Sequence, residues 1–76
     1  MQRIIRIRRL SGEHITSTGP SEAWSFGFFG NAIVAIGEEF GWHPEDLDVN
    51  QTDDPDRYIA TARGEPLCEV VVATRR

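Results

Sequence analysis

Lysine is absent from this 76-residue chain, and cysteine, methionine and tyrosine each occur once. Lone Cys68 excludes an internal disulfide, so no cystine framework holds the fold, and a reducing compartment is the simpler reading. A disulfide joining Cys68 of two copies stays open. No run approaches the roughly 18 apolar residues of a membrane span. The opening Met1-Gln2-Arg3-Ile4-Ile5-Arg6 is basic but lacks the apolar stretch of a signal peptide, so a cytoplasmic protein is expected. Soft metal ligands are confined to His14, His43 and Cys68. No two of them have the close spacing of a structural zinc site. Gly27-Phe28-Phe29-Gly30 fits neither a phosphate loop nor a dinucleotide fingerprint. No catalytic residue, metal or cofactor is assigned.

What the chain does have is sorted charge. Four of its eight arginines, Arg3, Arg6, Arg8 and Arg9, open the sequence, and none follows until Arg57. Ten of the twelve acids lie between, eight of them in Glu38–Asp56. Such sorting gives a folded domain two poles and concerns partners more than fold. Net charge −4 argues against general binding to nucleic acid or anionic membranes. Seventy-six residues make one domain, spanning 1–76. A domain this small has a thin stability margin, which self-association would widen.

Residues 3–10 read as a strand with Ile5 and Ile7 on one face and Arg6 and Arg8 on the other. Residues 14–18 fit a second strand or an ordered loop. Ser21 is placed to cap a helix, and Phe26, Phe29, Ile33, Ile36 and Phe40 recur at helical spacing. Gly27, Gly30, Gly37 and Gly41 fall beside that stripe, as a seam for close approach to a sheet. Residues 31–40 are therefore expected to be helical. Over 21–30 a strand competes, because Trp24, Phe26 and Phe28 alternate. Gly41, Trp42 and Pro44 mark the helix stop. Pro44–Leu47 reads as a turn and Leu47–Gln51 as a short extended piece. Arg57–Arg63 and Leu67–Thr74 read as a hairpin across Gly64-Glu65. That register pairs Ile59 with Val70 and Thr61 with Cys68. It turns Tyr58, Ala60, Glu69 and Val71 outward. The order strand, helix, hairpin predicts an α+β domain of two layers, one main helix on a small, mostly antiparallel sheet.

Asp46, Asp48 and Asn50 match the opening of a calcium loop. Gln51 stands where that loop needs glycine, and Arg57 where it needs the bidentate glutamate. The paired carboxylates sit in polar stretches wetted alike, which does not separate their pKa values for acid–base work. On the uncovered sheet face, Arg6, Arg8 and Tyr58 form an alternative binding surface, a small platform for single-stranded nucleic acid. The plainer reading pairs Arg6 and Arg8 with Glu69 across the strands. A third use of that face is a homodimer interface.

The acidic block remains. Glu38, Glu39, Glu45, Asp46, Asp48, Asp53, Asp54 and Asp56 have no lysine or arginine among them. They form an expected partner-binding patch, with Trp42 beside them as an aromatic contact. Such a patch can occupy a cationic groove that normally holds nucleic acid. A short chain, this acidic run, the strand–helix–hairpin order and the lack of a catalytic motif together resemble small phage-encoded inhibitors of bacterial immunity, the anti-CRISPR proteins. The resemblance is one of type and transfers no functional residue. It implies a non-enzymatic inhibitor in the cytoplasm of a bacterial host. Its partner would be a protein with a basic surface, such as a CRISPR effector subunit. Neither a membrane nor a directly bound nucleic acid is implied.

Overall fold

A computed structural model of the protein describes residues 2–21 and 26–75. Strands β1 (Gln2–Arg9) and β2 (His14–Thr18) form a hairpin. A 3-10 turn at Gly27–Phe29 leads into helix α1 (Gly30–Phe40). A second 3-10 turn, Pro44–Asp46, leads into β3 (Leu47–Gln51), followed by β4 (Arg57–Ala62) and β5 (Glu65–Arg75). The strands form one antiparallel sheet in the order β2-β1-β5-β4-β3. The domain is α+β as expected, but its order is hairpin, helix, three-stranded meander rather than strand, helix, hairpin. The strand reading of residues 14–18 is the one realised.

The helix lies between strands at opposite edges of the sheet. Crossing four strand spacings means covering about 19 Å. An eleven-residue helix is about 16 Å long, so α1 supplies most of that span. Its buried Ala32, Ile33 and Ile36 share one core with Ile5 and Ile7 of β1, Leu47 of β3, Ala60 and Ala62 of β4, and Cys68 and Val70 of β5. Phe29 and Phe40 pack at its margin. Phe26, expected on the same stripe, is exposed. The helix entry expected after Ser21 falls on residues 22–25, outside the described residues. Phe26 and Phe29 hold the cap positions without a side-chain bond, and the Ser21 amide donates to the Phe28 carbonyl at 3.0 Å. The alternation through Trp24 falls on residues 22–25, outside the described residues.

The helix stop is the expected one. Gly41 takes the left-handed conformation at φ 73°, and the Trp42 amide donates to the Gly37 carbonyl at 3.0 Å. Gly37 faces this exit loop rather than the sheet. A Cβ there would sit 2.7 Å from the Trp42 carbonyl oxygen.

The β4–β5 hairpin departs from expectation by one residue. Arg63 and Gly64 are the turn residues, both with positive φ (51° and 86°), as a type I′ turn requires. Pairing runs Tyr58↔Val70, Ile59↔Glu69 and Ala60↔Cys68, with a bulge before Thr61↔Pro66. A one-residue slip exchanges the faces of β4. Tyr58, Ala60 and Ala62 therefore point toward the helix, and Arg57, Ile59 and Thr61 point away.

Gly37→Ala tests the helix exit. Backbone crowding against Trp42 should cost about 1–3 kcal/mol, read as a lower urea midpoint at unchanged slope. If the exit loop yields instead, the variant gains up to roughly 1 kcal/mol, the usual advantage of alanine in a helix.

Candidate functional site

The acidic block does not fold into one patch. Glu38 and Glu39 end α1, and Glu45 and Asp46 lie on the second 3-10 turn. Asp48 projects from β3 on the face away from the helix, because it alternates with buried Leu47. Asp53, Asp54 and Asp56 occupy the β3–β4 loop, at the other end of β3. The common element is β3, an edge strand with these carboxylates along it and at both its ends.

Two of the eight are neutralised by arginines distant in sequence. Arg9 reaches Glu39 at 3.6 Å, and Arg63 reaches Asp46 at 3.7 Å. Glu38, Glu45, Asp48, Asp53, Asp54 and Asp56 make no ion pair among the described residues. Asp54 has a local task. Its Oδ1 accepts the Asp56 amide at 2.9 Å. The Thr52 hydroxyl donates to the Arg57 carbonyl at 2.7 Å and accepts from the Asp54 amide at 3.2 Å. These bonds close the loop and leave the Asp53 and Asp56 carboxylates exposed.

Trp42 is half-buried at the helix exit, with the Arg63 guanidinium 6.0 Å from its ring. Two shallow clefts are lined in part by Trp42. One, of about 270 Å³, is lined by Ala62, Arg63, Glu65, Pro66 and Leu67. The other, of about 220 Å³, is lined by Val34, Gly37, Glu38 and Pro44. The Arg63 backbone, strained at φ 51°, is held by its amide bond to the Asp46 carbonyl at 3.1 Å.

The alternative surface is broken up. Arg6 and Arg8 do lie on the sheet face away from the helix. Tyr58 lies on the opposite face, its ring 4.7 Å from that of Phe29, so the Arg6, Arg8 and Tyr58 platform is not assembled. Arg57 takes its place on the outer face. Glu69 sits there at 8% exposure, bonded to Arg8 at 2.9 Å and to Arg57 at 3.1 Å. The Arg8–Glu69 pairing was legible from the sequence. The Arg57 contact was hidden by the register error. Arg6 is exposed and makes no ion pair among the described residues.

Cys68 is fully buried on the helix side, which overturns the disulfide between two copies. Burial pushes its thiol up from 9.0 to about 11. His14 is exposed on β2. His43 accepts the Glu45 amide through Nδ1 at 3.3 Å, as the cap of the second 3-10 turn. Asp46, Asp48 and Asn50, the calcium-like triplet, are spread over that turn and an extended strand rather than wrapped round a point. Among the described residues no group of three or more His, Cys, Asp or Glu could hold a metal ion. No described helix is long and apolar enough to cross a membrane. No family model matches the chain, and neither a curated protein nor a solved structure matches it.

The thiol gives a pH prediction. In the unfolded chain Cys68 ionises near 9; in the fold it stays neutral until about 11. The unfolded state therefore loses its proton first, and stability should fall as pH rises from about 9 to 11. Chemical denaturation across that range should show the decline in wild type and a flatter profile in Cys68→Ala. Thiol labelling at pH 8 should be slow until denaturant is added, and non-reducing gels should show no dimer.

Proposed function

We propose that this protein is a non-enzymatic binding protein, a two-layer domain whose acidic β3 side docks on the basic surface of a protein partner. The observation that carries the reading is the charge left over after internal pairing. Five carboxylates on β3 or the segments flanking it, and Glu38 at the end of α1, pair with no cation among the described residues. The basic strand β1 lies three strand spacings away, about 14 Å, so its arginines neutralise little of that edge. Exposed carboxylates along a free edge attract a surface built to receive phosphates. The resemblance of type to phage-encoded inhibitors supplies the partner class, a nucleic-acid-binding groove in a bacterial defence complex. Occupying that groove blocks it.

A second reading rests on the outer sheet face, where Arg6, Arg8 and Arg57 outnumber Glu69 and Asp48 by one charge. There the protein would bind RNA or DNA phosphates directly. The same excess of positive charge weighs against a homodimer made by stacking two such faces.

Charge reversal separates the readings. Asp48, Asp53 and Asp56 are the positions to change to Arg, since Asp54 is needed to close its loop. Under the first reading the triple variant fails to retain the partner complex in pull-downs, and wild type displaces labelled nucleic acid from that complex. Under the second the triple variant binds labelled RNA or DNA more tightly than wild type in mobility shifts. Arg6→Glu with Arg8→Glu then abolishes the shift. Direct binding by wild type that is lost in Arg6→Glu/Arg8→Glu would overturn the acidic-surface reading.

A further inference from the structure

We infer that the cleft between Trp42 and the end of α1 receives an arginine side chain of the partner, which makes the helix exit the anchor point of the acidic surface. The inference rests on the acidic-surface reading and adds a specific pocket and ligand group to it.

The helix end is the first observation. A helix carries partial negative charge at its C-terminus, where cations stabilise it and anions do not. The last turn of α1 holds Glu38 and Glu39 and no basic residue. Arg9 answers Glu39, and its guanidinium lies 5.6 Å from the Phe40 ring. Glu38 has no such answer. Its carboxylate and the helix terminus repel one another where none of the described residues supplies a cation. A local rule broken at the surface, with nothing inside the molecule to offset it, marks a place where an outside group belongs.

The cleft is the second observation. It is lined by Val34, Gly37, Trp42 and Pro44, and its one charged lining residue is Glu38. An aromatic face beside a free carboxylate suits a guanidinium. The ring attracts the cation, the apolar walls take the side-chain stem, and the carboxylate accepts the planar N–H groups. The same indole already holds a guanidinium, that of Arg63, toward the neighbouring cleft. Gly37 also belongs to the construction. Its missing Cβ lets the Trp42 carbonyl settle on the helix, which fixes the Trp42 backbone beside this cleft. Lysine fits less well, because a compact, strongly hydrated ammonium stacks poorly.

The test uses the full chain and fluorescein-labelled octa-arginine and octa-lysine, followed by anisotropy at about 50 mM salt, where charge contacts persist. Wild type should prefer octa-arginine, and the Trp42 indole N–H resonance should move on titration. Trp42→Leu should weaken octa-arginine by about three- to tenfold and remove most of the preference over octa-lysine. Glu38→Gln should weaken binding by a similar factor while raising the melting temperature, because it relieves the repulsion at the helix end. That opposed pair of effects would not come from a residue with a purely structural role. Should Trp42→Leu fail to fold by circular dichroism, Glu38→Gln decides alone. If both variants bind like wild type while the Asp48, Asp53 and Asp56 reversal loses binding, the cleft assignment is overturned and the acidic-surface reading stands. If wild type binds neither peptide, both are overturned.

Discussion

The pairing of the first strand with the last holds this domain together. β1 and β5 run side by side from Gln2↔Arg75 to Arg9↔Cys68. Without that ladder the β1–β2 hairpin and the β3–β4–β5 meander would be two small sheets joined only through the helix. The β1–β2 hairpin would not be stable alone, since a two-stranded hairpin is marginal in water. Four of the five largest fully buried side chains, Ile5, Ile7, Val70 and Cys68, lie on these two strands, and the fifth, Ile36, comes from the helix. Closing so long a loop costs entropy that grows only slowly with length, and burial of those side chains offsets it.

The same pairing arranges the charge. With β1 and β5 central, β3 is pushed to an edge, and the acidic residues on and around it follow. Arginines are then used selectively. Arg8 and Arg57 clamp the buried Glu69 on the outer face, Arg9 bridges β1 to the end of α1, and Arg63 bridges the β4–β5 turn to the second 3-10 turn. All but the Arg57–Glu69 bridge, which lies within the β4–β5 hairpin, join elements that are not consecutive in sequence. Most are surface pairs of small individual worth, whereas Glu69, accepting two guanidiniums while buried, would cost far more if left unpaired. Among the described residues Glu38 and the carboxylates of β3 and its far loop make no such bridge.

Part of this was readable along the chain. Strand β1 with its two faces, the helix over 31–40, its exit at Gly41, the turn after Pro44 and the extended piece after Leu47 follow from local patterns. The β4 register did not. Tyr58, Ile59 and Ala60 are apolar or aromatic on both faces, so alternation could not select one, and the choice fell to the turn. Gly64 is the second turn residue, not the first, and Arg63 accepts a left-handed backbone that its type disfavours. The bulge between Ala60 and Thr61, which no local pattern announced, then shifted the pairing by one residue and exchanged the faces of Tyr58, Arg57 and Ile59.

The candidate surface divides in the same manner. An excess of carboxylates in one stretch, and a tryptophan beside it, are properties of the linear chain, because charge and residue type do not depend on folding. Which carboxylates stay unpaired does depend on it. Arg9 and Arg63 meet Glu39 and Asp46 only after the sheet has closed, and Asp53 and Asp56 are carried to the far end of β3 from Glu38 and Trp42. Local periodicity determines what each segment can become, since its causes lie within a few residues. Face, neighbour and free charge are decided by long-range pairing, whose register a single bulge can reverse.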